Sequence, residues 1–206
     1  MSKLGNNPNE INEFDIAIIG GGSAGITLAA KLHDCSAVVV EPYTPAERDC
    51  SWALWANSHQ VKKFATATKG SWKQWRLIDH HTEVRHCSDH YRYTSLSAAQ
   101  YLTQSENSLA PGIDLVRAVA EDIVSAGNGG SFTAAGQRYR TAQLYDSRPP
   151  KMVQDSLKQH FLGWEIRTKT PIKDADIATL MDFRVDQSRG LHFIYVLPFS
   201  DRRLLV

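Results

Sequence analysis

The first regular pattern along the chain is an apolar run, Phe14-Asp15-Ile16-Ala17-Ile18-Ile19, that stops at Gly20-Gly21-Gly22-Ser23-Ala24-Gly25. A short apolar run bounded by turn residues predicts a buried strand. Ile26-Thr27-Leu28-Ala29-Ala30-Lys31-Leu32 then reads as a helix, and Ala37-Val38-Val39-Val40-Glu41 as a second buried strand. Together they predict a βαβ unit. Between Glu41 and about residue 97 come Pro42, Pro45, few strand signals and many Trp, His and Lys residues, which predict an insertion between Rossmann elements. Ser97-Ala98-Ala99-Gln100-Tyr101-Leu102 looks like a short helix and Ile113-Asp114-Leu115-Val116 like the next core strand. From Ala118 to Ser147, β-prone pieces alternate with Gly127-Asn128-Gly129-Gly130 and Gly136-Gln137, the pattern of a β-meander leading into Gln143-Leu144-Tyr145-Asp146.

Beyond Pro150 the pattern changes to period two. Leu162, Trp164 and Ile166 alternate with Gly163, Glu165 and Arg167, and Met181, Phe183 and Val185 with Asp182, Arg184 and Asp186. Both stretches predict half-buried strands. Leu191 to Phe199 is apolar on both faces, which predicts a buried central strand stopped at Pro198. Arg203-Leu204-Leu205-Val206 opens another strand and the sequence ends in mid-pattern, so the expectation is an incomplete chain. The fold class predicted is α/β: a Rossmann-type FAD-binding domain with a β-rich substrate domain, incomplete at the C-terminus. The expected divisions are a disordered leader over 1–12, the FAD-binding domain over 13–150 with its insertion at about 42–97, and the start of the β-rich domain over 151–206.

The glycines after the first strand have a mechanical reading as a dinucleotide fingerprint. Gly20 allows the tight turn, Gly22 lets backbone approach a pyrophosphate, and Gly25 lets the helix pack against the strand, while Ser23 and Ala24 begin a helix whose N–H groups can meet phosphate. Glu41 lies about twenty residues past Gly20 at the end of the second strand, where a carboxylate accepts hydrogen bonds from a ribose. That acid disfavours a 2′-phosphate. FAD or NAD is therefore expected over NADP, and a fingerprint so near the N-terminus favours FAD.

Charge narrows the classes further. Lys+Arg (23) and Asp+Glu (22) nearly cancel, so no basic footprint for nucleic acid exists. The three cysteines, Cys35, Cys50 and Cys87, lack paired spacing, which suits reduced thiols in the cytoplasm. No apolar run reaches the roughly 18 to 20 residues of a membrane-spanning helix, so any membrane contact is expected to be peripheral.

Taken together the chain resembles the lycopene cyclase family, FAD-dependent carotenoid enzymes that close β-ionone rings. The resemblance rests on the glycine turn, Trp52-Ala53-Leu54-Trp55, Tyr91-Arg92-Tyr93 and Asp146-Ser147-Arg148-Pro149-Pro150. More specific are Gln159 to Ile166, Met181-Asp182-Phe183-Arg184-Val185-Asp186-Gln187 and Phe193 to Phe199, whose order and spacing look like the bacterial β-cyclases. It implies a redox-neutral isomerisation of lycopene or a related linear carotenoid through γ-carotene to β-carotene, with FAD in its reduced form, NAD(P)H as reductant, and a cytoplasmic enzyme peripherally associated with the membrane. The family pattern continues past Leu204-Leu205-Val206 into a Glu-containing motif tied to catalysis and a second flavin-contacting segment, so this polypeptide alone is expected to be inactive. The rival readings are an FAD-dependent hydroxylase or reductase of the same architecture and an inactive flavin-binding fragment.

Cyclisation of this kind requires a strong, dry acid, an electron-rich wall for a carbocation and a weak base. Asp182, Arg184 and Asp186 fall on one face of their predicted strand, either as a polar rim toward the reacting end group or as a solvated sheet face. Asp182 is the carboxylate expected to carry a raised pKa if buried. Trp52 and Trp55 recur at a three-residue interval, as do Trp72 and Trp75, and on helices each pair would share a face. They are read as packing or, for Trp52 and Trp55, as an aromatic wall near the flavin. Asp146 is a further expected cofactor contact. His80, His81, His86 and His90 with Cys87 and Asp89 match no metal motif, and no metal is expected.

Overall fold

The computed structural model describes residues 10–150 and 157–206. Most of the expected leader over 1–12 and the expected domain boundary at residue 151 therefore lie outside the described residues. Ile11 and Asn12, assigned to that leader, are already strand. Along the chain run β1 (Ile11–Ile19), α1 (Ser23–Ala29), β2 (Ala37–Val40), β3 (Ser51–Asn57) and α2 (Ser58–Lys63). Next come β4 (Thr68–Trp72), β5 (Gln74–Ile78), β6 (Glu83–Cys87), β7 (Tyr91–Ser97) and α3 (Ala98–Asn107). The remaining strands are β8 (Ile113–Val116), β9 (Glu121–Ala126), β10 (Gly129–Ala134), β11 (Gln137–Asp146), β12 (Glu165–Arg167), β13 (Ile177–Asp182), β14 (Ile194–Pro198) and β15 (Arg203–Leu205). The chain divides into two compact units, residues 1–50 with 98–154, and residues 51–97 with 155–206.

The first unit is built on a six-stranded sheet in the order β8-β2-β1-β11-β10-β9. β8, β2, β1 and β11 run parallel, and β10 and β9 return antiparallel. Parallel strands covered on both faces must be apolar on both. That is why Ala17, Ile18, Ile19 and Val38 to Val40 are all essentially inaccessible. Within the sheet the register partners Phe132 on β10 and Tyr139 on β11 stack their rings 4.8 Å apart and join the same buried cluster. Tight turns fold the meander, with Gly127 at φ +61° and the pair Ala135 and Gly136 at +51° and +72°. The strand order reverses at β1, since β2 lies on one side and β11 on the other. A crevice at the C-terminal ends of these strands is where sheets of this type take ligands.

The second unit corrects the expected insertion. Residues 51–97 contain five strands, and they belong to the same unit as residues 155–206. The physical link is β5, which pairs parallel with β13 across the register Gln74 to Ile78 against Ile177 to Asp182. The strands escaped recognition because segments such as Glu83-Val84-Arg85-His86-Cys87 are exposed throughout and carry little apolar periodicity. The unit consists of a three-stranded sheet, β3-β7-β4, and a six-stranded one, β12-β15-β14-β13-β5-β6. Trp72, Ala178 and Leu197 form its buried centre, with Trp75, Tyr93, Tyr195 and Phe199 packed against them.

Three further expectations change here. The strand expected around Leu162, Trp164 and Ile166 is only the three residues Glu165–Arg167, and those apolar side chains are exposed. β13 ends at Asp182, with a register irregularity after Thr179, so Arg184 and Asp186 lie in the irregular segment that follows and not on a strand face. β14 is central in its sheet, as expected, yet it begins only at Ile194 and Leu191 is 80% exposed.

Burial of the stacked pair sets the first expected outcome. Phe132→Ala removes a ring that is 2% exposed from the centre of the first unit, and should cost about 3–5 kcal/mol. Urea denaturation followed by circular dichroism measures it, and an unchanged midpoint would show that the meander does not pack as described.

Candidate functional site

The site grows from the turn that β1 feeds. Gly20 has φ +96°, a left-handed conformation in which a Cβ would meet Ser147 Oγ at 2.8 Å. Ser147 itself secures the turn. Its hydroxyl donates to the carbonyls of Gly20 (2.7 Å) and Ile19 (3.1 Å), and its N–H donates to Ile19 O at 2.8 Å. Gly25 lies so close beneath that any side chain there would drive into the Gly20 carbonyl and Ser147 Oγ. Ser23 and Ala24 are exposed at the start of α1, which Gly22 caps without a side-chain bond.

Glu41 stands across the turn at the end of β2. It is 2% exposed, a burial that an isolated carboxylate could not sustain. Three contacts satisfy it. Gly21 N–H donates to Oε2 at 2.8 Å, Tyr43 N–H donates to Oε1 at 3.0 Å, and Arg48 Nη2 lies 3.2 Å from Oε1. Gly21 must be glycine for this approach, since a Cβ would sit 2.8 Å from Glu41 Cβ. Gly22 differs, because among the described residues beyond its chain neighbours only the Arg48 guanidinium comes within 4 Å of its missing Cβ, with Nη1 at 3.2 Å.

Arg48 is a residue that sequence reasoning missed. It ends a 3-10 turn over Pro45–Arg48, opened by a capping box in which Thr44 N–H and hydroxyl both donate to Glu47 Oε2 at 2.7 Å. The spacing Thr44-Pro45-Ala46-Glu47 was the signal available, because a capping box with Pro at the first position predicts a helical turn directly after the second strand. Arg117 ties the same loop down by donating to the Tyr43 carbonyl at 2.7 Å while pairing with Glu106 at 2.6 Å.

The other expected site residues are placed as follows. Asp146 ends β11 opposite Ile19 and forms a bidentate pair with Arg148, at 2.9 and 2.6 Å. The hydrogen bonds from Arg148 hold its carboxyl below the usual range. Trp52 and Trp55 lie on β3, a strand and not a helix, so a three-residue interval sends them to opposite faces. Both belong to the second unit, whereas the glycine turn belongs to the first. Trp55 is partly exposed and packs edge-on against Trp75 (4.5 Å) and Tyr93 (5.0 Å), its register partner on β7.

Asp182 is the clearest correction. Arg184 Nε and Nη2 donate to its two oxygens at 2.9 and 2.7 Å. Those bonds lower its pKa, whereas a raised one was expected only for a buried carboxyl, and with its side chain 18% exposed the carboxylate is held as an anion. Asp186 is also lowered, chiefly by the Ser188 N–H at 2.9 Å. Tyr93 behaves oppositely. Burial, together with Tyr195, pushes its hydroxyl up to about 12. The histidines lie on and around the β5–β6 hairpin, with His86 stacked on Trp75 at 6.0 Å. Among the described residues no group of three or more His, Cys, Asp or Glu is placed to hold a metal ion.

The Asp182–Arg184 pair has a pH signature. Because the folded-state pKa is lowered, its contribution to stability is present above the ordinary carboxylate range and is lost as pH falls through the folded value. Asp182→Asn should therefore lower the urea midpoint slightly at about pH 7, with the difference from the parent narrowing as pH falls below about 4, the ordinary carboxylate value. A difference that widens in acid would contradict the ion pair.

Comparisons with known proteins agree with this architecture. The sequence model of a family described as "Lycopene cyclase protein" matches residues 15–206. No curated protein matches significantly. Among solved structures, similarity extends to a geranylgeranyl bacteriochlorophyll reductase-like protein from Thermoplasma acidophilum, with TM-score 0.62 and 14% identity, covering 96% of this chain and 56% of that one. It extends also to the p-nitrophenol 4-monooxygenase PnpA from Pseudomonas putida DLL-E4 (TM-score 0.64, 10% identity, 95% and 58% covered). A variant of the halogenase PltM in complex with FAD gives TM-score 0.66 at 12% identity, with 94% and 51% covered. The chain thus spans little more than half the length of these relatives. At such identities the likeness establishes the fold, a Rossmann-type flavoprotein architecture with a β-rich second unit.

Proposed function

The chain belongs to the lycopene cyclase family, and from that premise we propose that it serves the redox-neutral cyclisation of lycopene or a related linear carotenoid, through γ-carotene to β-carotene, with FAD as its cofactor. The observation that carries the cofactor is the cradle itself: a turn held at φ +96°, an open backbone at Gly22, and a buried, backbone-anchored Glu41 at the strand order reversal. These residues fit an adenine dinucleotide with an unphosphorylated ribose, which Glu41 would accept as a hydrogen-bond donor while Gly22 admits the diphosphate. The reduced flavin, kept in that form by NAD(P)H, would supply an electron-rich surface to a positively charged reacting centre.

The protein's own side chains have narrower tasks. Asp182 and Asp186 are anions and suit the holding of positive charge, not the donation of a proton. The half-exposed Trp55 with Trp75 and Tyr93 offers aromatic faces of the kind that attract cations. Phe161, Leu162, Trp164 and Leu191 expose apolar surface on the second unit. That suits peripheral contact with a membrane, in which a wholly apolar carotenoid is dissolved, on the cytoplasmic side where the free thiols of Cys35, Cys50 and Cys87 persist. No helix among the described residues is long and apolar enough to cross a membrane.

Two measurements test this. Flavin absorbance of the purified protein should show bound FAD, and Gly22→Val should remove it, because the side chain fills the approach to the backbone. Unchanged flavin content in that variant would contradict the cradle. Chromatography with absorption and mass detection, after incubation of the intact protein with reduced FAD with and without O2, should then show a product of altered retention and unchanged mass in both. A gain of oxygen when O2 is present, or of two hydrogens, would identify a hydroxylase or reductase instead.

A further inference from the structure

We infer that Arg48 is a cofactor-anchoring residue, whose guanidinium meets the diphosphate of the dinucleotide laid over Gly22. The inference rests on the dinucleotide reading and adds a residue to it. Space is the first argument. The Arg48 guanidinium occupies the region beside Gly22 that a ligand approaching that backbone must enter, with Nη1 3.2 Å from the missing Cβ. A bound diphosphate must therefore either touch this cation or displace it.

The neighbours decide between those outcomes. Glu41 keeps two backbone N–H donors, from Gly21 and Tyr43, if Arg48 lets go, so the carboxylate remains anchored when the arginine changes partner. The Glu41–Arg48 contact is a single one at 3.2 Å. By contrast Arg148, the other arginine beside the turn, grips Asp146 bidentately at 2.9 and 2.6 Å and is committed there. A single, longer contact is the weaker of the two, and the guanidinium has five N–H donors to share.

Arg48 is also held in place. Its guanidinium lies over the Tyr43 ring at 5.5 Å, the Thr44–Glu47 capping box fixes the turn that carries it, and Arg117 anchors the Tyr43 carbonyl. The side chain is 34% exposed, so an anion can reach it. Among residues 15 to 30 the sequence has no Lys or Arg, so the turn itself brings no cation to two phosphate charges. Arg48 supplies one from a different loop.

The test compares FAD, ADP and adenosine by isothermal titration against the intact protein, Arg48→Ala and Arg48→Lys. Adenosine reports the Glu41 side of the site, and ADP adds the diphosphate. Arg48→Ala should weaken ADP and FAD about tenfold or more, as expected for the loss of a charged hydrogen bond, while adenosine changes less than about twofold. Arg48→Lys should recover part of the loss, and thermal melting should show both variants folded. Equal losses for adenosine and ADP would mean that Arg48 acts only through Glu41. No loss, or tighter binding of ADP by Arg48→Ala, would make it a bystander or a latch. Each of these overturns the role of Arg48 alone, whereas a parent protein that binds neither FAD nor ADP overturns the dinucleotide reading as well.

Discussion

The hydrogen bond from Gly21 N–H to the buried carboxylate of Glu41 is the contact on which the first unit's site depends. It adds a side-chain tie between the ends of β1 and β2, next to the backbone bond from Gly20 N–H to the Val40 carbonyl at 2.8 Å. A carboxylate at 2% exposure costs several kcal/mol unless its lone pairs are filled, and here two backbone donors and a guanidinium fill them. The same contact dictates glycine at position 21, because any side chain would collide with Glu41. It also keeps the carboxylate at the rim of the glycine turn, where a ribose would reach it.

From that constraint the rest of the turn follows. β1 must end in a conformation open to glycine, Gly20 at φ +96° provides it, and Ser147 on the neighbouring strand end closes the turn from below. Gly25 allows α1 to lie directly on the strand. In the second unit the governing force is aromatic packing. Trp55, Tyr93 and Trp72 are register partners across β3, β7 and β4, and burial there moves a tyrosine hydroxyl far from its ordinary pKa. The displaced carboxylates run the other way. Asp146, Asp182 and Asp186 are each held low by hydrogen-bond donors two residues along the chain. Short-range pairing of this kind favours anions that steady positive charge.

Much of the first unit was legible because parallel strands announce themselves as uninterrupted apolar runs and glycine turns have a mechanical reading. Phe14 to Ile19, Val38 to Val40 and Ile113 to Val116 are strands as expected, and the meander after Ala118 forms as its turn residues indicated. The second unit was less legible for definite reasons. Its strands carry Arg, His, Lys and Ser on open faces, so period-two alternation is weak over Thr68–Trp72 and Glu83–Cys87. The joining of residues 51–97 to residues 155–206 rests on the long-range pairing of β5 with β13, which leaves no local trace. Asp182 misled because alternation predicts a face but not the partner Arg184 two residues on, where the strand has already ended. Arg48 escaped because its importance lies in where a capped turn points it.

The proposed function depends on a dinucleotide seating in the cradle formed by the glycine turn and Glu41. Amide hydrogen exchange of the intact protein, followed by mass spectrometry with and without saturating FAD, reads out that seating. Protection is expected to concentrate in peptides covering residues 20–25 and 41–48, with little change in the β5–β6 hairpin. Binding of FAD with no added protection at residues 20–25 and 41–48 would place the dinucleotide elsewhere.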